Sequence, residues 1–569
     1  MRRIYVIDPA GTIISCYPPE EKAELVGSLI HALSLFSREI LRMEISEVRI
    51  GHYCMLIGST KHGLRVAVLS PVEEKSLLER AINELNIAFE SIQITPGLIT
   101  GEIVDTATSA IKRAFEEELP LDMISKIINY ASEMPRKAPP KWIEECKEDQ
   151  RKATKYFEEK IRRALKKKKV SEPYVRATIS RLLKRDFKHA WNVALRSGSK
   201  IAILHTSIIV SHTDPRIDGF FLRDYFDLVA DESAREYLRL YHRAYIDLDS
   251  QYNKTIERIG ELEESMLGRA EESDEYLILY LPPSITRPKR LEELLPMEEK
   301  LLHDFYMKFI RLRQEAETHK EDLEAWRKFA AWSRELYMDL AEKLTYKSPT
   351  FFLLISNTLE GVFALAESST KPELIARSFL EQTIHFIDEA VRSLRHNAWK
   401  RISDHTIIAF YTSVLGLAVL SGDRAILEEV LEITNRARSI ILETIAYVLL
   451  RRRINVFALG YLSELLAISP LIGDEELISI LFFNHPMIPH SELENLAKNR
   501  PAYGLMISAL LHIATLMYEK YCLRREIEHP AIELATVCIQ EVERRAGEEE
   551  TRMMKWLLEK IKRNDNSQR

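Results

Sequence analysis

Residues 2 to 97 alternate extended and helical signals in the order β-β-α-β-β-β-α, and no later stretch of the chain does. The run Arg3 to Asp8 holds Ile4, Tyr5, Val6 and Ile7, and Asp8-Pro9-Ala10-Gly11 supplies a turn with Pro second and Gly fourth. A second extended run, Thr12 to Tyr17, follows at once, which predicts a hairpin. Pro18-Pro19 stops the sheet, and Glu20 and Glu21 put negative charge where a helix macrodipole favours it. From Lys22 to Leu41 the residues Leu25, Leu29, Leu33, Phe36 and Ile40 share one helical face. Ile45 to Ile50, Tyr53 to Gly58 and Leu64 to Leu69 are strand-length runs, divided by Gly51-His52 and by Ser59 to Gly63, and they read as a meander. Ser70-Pro71-Val72-Glu73 is a capping box for a helix with Leu78, Ala81, Ile82, Leu85, Phe89 and Ile92 on one face, stopped by Pro96-Gly97.

A five-stranded antiparallel sheet with helices in this order resembles the longin domain, on Ile4 to Asp8 with Gly11, the helix from Lys22 to Leu41 and the meander from Ile45 to Leu69. A roadblock module shares much of this plan but begins with a helix, for which Arg2-Arg3-Ile4 leaves no room. The resemblance implies a protein-interaction module over residues 1–97, whose partner is a small GTPase or another longin-like or roadblock-like chain, in a setting like vesicle trafficking.

At 569 residues and 66.0 kDa the chain is long enough for two to four domains. Only 18 glycines against 29% charged residues suits helices better than sandwiches or barrels. Seven Gln beside abundant Lys, Arg and Glu is a thermophile-like balance. Cys16, Cys54, Cys146, Cys522 and Cys538 show neither a C-x-x-C pair nor a disulfide-framework spacing, so a reducing cytoplasmic setting without structural zinc is expected. The apolar run before Asp8 is too short for a signal peptide. Pro501 to Tyr518, the longest uncharged stretch, is expected to be a buried core helix rather than a membrane span.

The expected fold is therefore an α+β N-terminal domain, a five-stranded antiparallel sheet with helices, followed by a large all-α helical array, an irregular solenoid or bundle. The division reads as residues 1–97, a helical linker region 98–200, a helical region 201–290 with two candidate strands (Ile201 to Val210 and Tyr276 to Leu281), and an all-helical array 291–569. Short apolar runs do not separate strand from buried helix, so 201–210 and 276–281 stay open between the two. Beyond Pro296, Thr318-His319-Lys320-Glu321, Ser348-Pro349, Lys371-Pro372, Ser421-Gly422-Asp423 and Gly473-Asp474 mark helix boundaries.

Charge segregates between Lys160 and Lys188, where twelve Lys or Arg face only Glu172 and Asp186, a net of +10 in a chain of −6. Lys166, Lys167, Lys168, Lys169, Arg181, Lys184 and Arg185 are the candidate basic surface, fit for an anionic membrane to which the protein is peripheral, or for nucleic-acid phosphates. Scarce aromatics (Tyr174, Phe187, Trp191) weaken the nucleic-acid version. The simpler expectation is a solvated face opposite the acidic stretch Glu261 to Glu275 of the same chain.

No P-loop, G-x-G-x-x-G, H-E-x-x-H or G-x-S-x-G signature occurs, so no catalytic residue, cofactor or metal ligand is assigned. The nearest to a chemical cluster is His205, His212, Asp214 and Asp218, which would suit a metal-dependent hydrolase centred on His212 and Asp214, although Asp214 to Asp218 reads naturally as a turn. Arg451-Arg452-Arg453 follows an apolar helix and is expected to meet its C-terminal carbonyls. Three functions remain in order: a non-enzymatic scaffold or adaptor with a longin-like head and a helical array as second binding surface, a nucleic-acid-associated factor using 160–188, and the hydrolase.

Overall fold

The computed structural model describes residues 3–20, 22–37, 42, 45–50, 53–70, 75–90, 92, 99–116, 121–246, 252–280, 297–319, 322–345, 347–397, 402–483 and 490–563. The chain forms two compact units. One holds Met1–Glu133, His490–Gly547 and Met554–Arg569, and the other holds Met134–Pro489 and Glu548–Met553.

The first unit opens with strands β1 (Arg3–Ile7) and β2 (Ile13–Tyr17), helix α1 (Ala23–Phe36), strands β3 (Glu47–Ile50), β4 (Tyr53–Ser59) and β5 (Arg65–Ser70), and helix α2 (Lys75–Ala88). All pairings are antiparallel, in the spatial order β2-β1-β5-β4-β3. The hairpin turn closes as its residues dictate: Gly11 takes φ +94°, its N–H donates to the Asp8 carbonyl, and the Asp8 carboxylate accepts from the amide of Thr12. β1 is an interior strand between β2 and β5 and is buried along its whole length, which is why it reads as a continuous apolar run. Its alternate residues serve two cores. Ile4 and Val6 join Ile14, Val66 and Val68 beneath α2, while Tyr5 and Ile7 join Ile30, Met55, Ile57 and Ala67 beneath α1.

The module does not stop at residue 97. Helix α3 (Gly101–Glu116) buries Ile103, Ala107, Ala110, Ile111 and Ala114 in the same core as Ile4 and Val6, so the packing groups the chain differently from boundaries at 97, 200 and 290. Helix α4 (Leu121–Glu133) continues the unit, which is completed from far along the sequence by His490–Asn499, Pro501–Met517 and His529–Ala546. Tyr130 donates to the Glu519 carboxylate at 2.5 Å, and Met123 meets Cys538. The capping box at Ser70 to Glu73, the stop at Pro96-Gly97 and the Pro-rich connection carrying His485 run beyond the described residues.

The second unit begins at Met134, at the edge of the Pro135 to Pro140 punctuation, and its described part is helical. Helices α5 (Ile143–Ala164), α6 (Glu172–Leu183), α7 (Phe187–Ser197), α8 (Lys200–Thr213) and α9 (Glu232–Tyr245) come first, with a 3₁₀ segment at Gly219–Leu228. The candidate strand 201–210 is helix α8, capped by Ser199, whose hydroxyl accepts from the amide of Ala202. Every residue from Ile201 to Thr213 is buried, so the helix shows no amphipathic period. Residues 276–280 likewise form the end of a short helix and a 3₁₀ turn. Beyond 296 helix follows helix, with Ser348, Asp423 and Asn455 accepting from first-turn amides and Gly473 closing a helix at φ +74°. The boundary near Thr318 differs from the expected box: Asp322 is the cap, accepting from the amide of Glu324. Among the described residues two helices, Pro349–Glu367 and Pro501–Cys522, are long and apolar enough to cross a membrane by length and composition, and both are mostly buried inside the fold.

Candidate interaction surfaces and a buried histidine cluster

α1 turns an unexpected face to its sheet. The residues it buries are Ala23, Gly27, Ile30 and Ser34, whereas Leu25 is 69% exposed, Leu29 43% and Phe36 58%. Leu33 of the same stripe is half-buried. The small residues let the helix backbone approach the sheet closely, and the four larger side chains, one every three or four residues, are left on the outer side. A contiguous apolar stripe facing water marks an interaction surface more than a scatter of single residues would.

The basic segment splits in two. Lys166 to Lys169 lie in the connection between α5 and α6 and are all exposed. Among the described residues no carboxylate lies within ion-pair reach of them. The loop is seated on the C-terminal end of α7: Lys167 Nζ donates to the Leu195 carbonyl at 3.2 Å, and the amide of Ser171 donates to Ser197 at 2.7 Å. A cation there complements the helix dipole. Val170 and Tyr174 beside it are exposed apolar groups. Arg181 pairs with Asp186 at 3.3 Å, Lys184 is exposed, and Arg185 is half-buried at φ +52°. Arg176 reaches the acidic stretch, through an ion pair with Asp274.

His205, His212, Asp214 and Asp218 do not converge. His205 is enclosed by Tyr237 and Tyr241, and burial pulls its pKa down to about 3. Asp214 is held by Arg216 in a two-pronged pair at 2.9 and 2.6 Å, and Asp218 caps the 3₁₀ segment by accepting from the amide of Phe220. The turn reading of 214–218 thus accounts for both carboxylates.

His212 meets other partners. Its ring centroid lies 4.6 Å from that of His405, and one donor atom each from His212, Asp404 and His405 lie within 4.8 Å of one another. Asp404 and His405 open the helix Asp404–Leu420. Since a carbonyl oxygen only accepts, the 3.1 Å contact of His212 Nδ1 with the Tyr245 carbonyl places the proton on Nδ1. Its Nε2, and Nδ1 of His405, are buried without a hydrogen-bond partner among the described residues. Burial, and then the nearby Arg451 charge, pull His212 down to about 4. Burial and the adjoining His212 take His405 to about 3, against the pull of Asp404. Arg451 Nη1 lies 2.5 Å from Asp404 Oδ2, and its Nη2 donates to the carbonyls of Ser211 and Asp214 at 3.2 Å. Arg451 therefore meets the C-terminal carbonyls of α8 rather than those of its own preceding helix. Arg452 and Arg453 instead stack around Phe220. Asp404-His405 is an unremarkable dipeptide in sequence, and only the packing of a helix some 190 positions away gives it a role.

The chain matches no protein-family model, no curated protein and no solved structure.

Proposed function

We propose that the protein is a non-enzymatic scaffold or adaptor whose N-terminal module, of longin-like plan, binds a partner protein through α1. The exposed stripe of Leu25, Leu29 and Phe36 carries this reading. Large apolar side chains on a helix that already has a buried face gain from being covered, at about 25 cal/mol per Å² removed from water. The strand order β2-β1-β5-β4-β3, with α1 on one face of the sheet and α2 and α3 on the other, supports the longin-like plan. The partner class that follows from it is a small GTPase or a second longin-like or roadblock-like chain. The helical second unit offers a further binding surface, and a cytoplasmic setting fits the five cysteines, none of which is in a disulfide.

The test is direct binding of the full chain to purified candidates of these two classes, with the GTPase loaded in turn with GDP and a non-hydrolysable GTP analogue. The double variant Leu25→Glu with Leu29→Glu should lose binding while keeping the wild-type melting temperature. Equal binding by the variant would remove α1 as the contact. A second reading, attachment to an anionic membrane surface, is favoured by Lys166 to Lys169 beside exposed Val170 and Tyr174. Its measure is salt-sensitive sedimentation with anionic but not neutral vesicles.

A further inference from the structure

We propose that His212, His405 and Asp404 form a binding site for a divalent transition-metal ion of the zinc type, which ties α8 to the helix Asp404–Leu420. Two imidazoles and a carboxylate are a donor set that suits such an ion, and three protein donors leave a fourth position open. The three donor atoms lie within 4.8 Å of one another, so a point about 2.8 Å from each exists, and a closure of under about 1 Å per donor reaches zinc-ligand distances of 2.0–2.2 Å.

Two further observations point to a ligand. His212 Nε2 and His405 Nδ1 are both buried and lack a hydrogen-bond partner among the described residues, which leaves two imidazole nitrogens unsatisfied in one place. His212 also has the supporting contact that metal-binding histidines use: its Nδ1–H donates to the Tyr245 carbonyl, which fixes the ring and leaves Nε2 as the nitrogen with a lone pair to offer an ion. His405 keeps 27% of its side chain exposed, which gives an ion a way in.

Arg451 works against a cation here and sets the kind of site. Its guanidinium neutralises the carboxylate through Oδ2, so the donor set carries no net negative charge. The carboxylate retains Oδ1, which accepts from the amide of His405 at 2.6 Å and has a second lone pair. Such a site favours ions that bond strongly to imidazole nitrogen over Mg²⁺ or Ca²⁺, which require several oxygen ligands.

The experiment uses the full chain, stripped with a chelator and desalted, and titrated with Zn²⁺ and with Co²⁺ as a visible-absorbance probe. The expected result is one ion per chain, a cobalt spectrum of nitrogen and oxygen ligation, and a melting temperature that rises with zinc but not with Mg²⁺. His405→Phe, a substitution beside Phe457 that keeps a ring in place, should weaken zinc at least about a hundredfold, more than loss of a mere supporting group costs. Asp404→Asn should weaken it too. A wild-type chain that takes up no cobalt or zinc overturns the proposal even if no variant folds. Uptake that His405→Phe leaves unchanged overturns it equally, since the ion would then sit on other histidines.

Discussion

Gly27 of α1 lies so close to Ile13 of β2 that a Cβ placed on it would come within 2.6 Å of Ile13 Cγ1. That approach decides which way the helix faces: with Gly27, Ala23 and Ser34 against the sheet, Leu25, Leu29 and Phe36 have nowhere to go but outward. Gly27→Val should therefore destabilise the first unit by about 1–3 kcal/mol through overpacking. Leu25→Glu should change stability by no more than about 0.5 kcal/mol. Urea denaturation of the two variants beside the wild type measures both. A large loss for Leu25→Glu would mean that the stripe is structural.

The sheet was legible because its signals are local. Ile4 to Ile7 alternate between two cores, the Asp8 to Gly11 turn has the residues its geometry needs, and the three meander runs are separated by turn formers. The orientation of α1 was not legible, since the 3.6-residue period of its large apolar residues points away from the side chains that touch the sheet. Helix α8 was ambiguous for the opposite reason: it is buried all round and so lacks any period. The histidine cluster lay beyond reach because its donors come from positions 212 and 404–405, and Asp214, the neighbour that sequence suggested, is taken by Arg216. The Pro96-Gly97 stop signal in the sequence suggests a boundary before residue 98, yet α3 supplies more than a third of the buried residues of that core. A fragment ending at 97 should accordingly be far less soluble than one ending at 116, which limited proteolysis and soluble yield will show.

The lysine loop allows a second test. Gly198 takes φ +72°, and a Cβ there would lie 2.1 Å from the Lys169 carbonyl oxygen. Gly198→Ala should cost at least about 1–2 kcal/mol from the left-handed backbone alone, with the clash in addition. Reversing Lys166 to Lys169 to Glu should leave the melting temperature almost unchanged, because no described carboxylate pairs with them. Calorimetry on the two variants separates the seat of the loop from its charge. A strong, salt-sensitive loss in the reversal would instead reveal an internal partner.

Arg451 and Asp404 form an ion pair whose side chains are only 9% and 3% exposed. Removing one partner leaves a buried charge uncompensated, so Arg451→Met should cost about 3–5 kcal/mol. The double change Arg451→Met with Asp404→Leu should recover much of that, since a buried pair replaced by apolar groups is often close to neutral. A double-mutant cycle by chemical denaturation in the presence of a chelator measures the coupling. Additive losses would show that the pair contributes no mutual stabilisation.

His512, on the helix Pro501–Met517, gives a pH-dependent prediction. Its Nε2–H donates to the Ala531 carbonyl at 2.8 Å, its Nδ1 is buried without a described partner, and burial pulls its pKa down to about 4 against that hydrogen bond. An unfolded histidine titrates near 6.5. The depressed folded value means that the unfolded state binds the extra proton between these limits, so the stability held above pH 6.5 falls as the pH is lowered towards 4. At pH 5 the loss from this one imidazole is about 2 kcal/mol. His512→Gln keeps a donor for Ala531 but does not titrate. Its stability relative to wild type should thus rise by about 2 kcal/mol between pH 7 and pH 5. Taking the difference at each pH cancels the other buried titrating groups, among them Glu464, whose carboxyl burial raises to about 8 and which shifts stability in the opposite sense. Denaturation curves of the two proteins at pH 7, 6 and 5 give that difference, and a value independent of pH would show that His512 titrates alike in the folded and unfolded chain, so that burial does not depress its pKa.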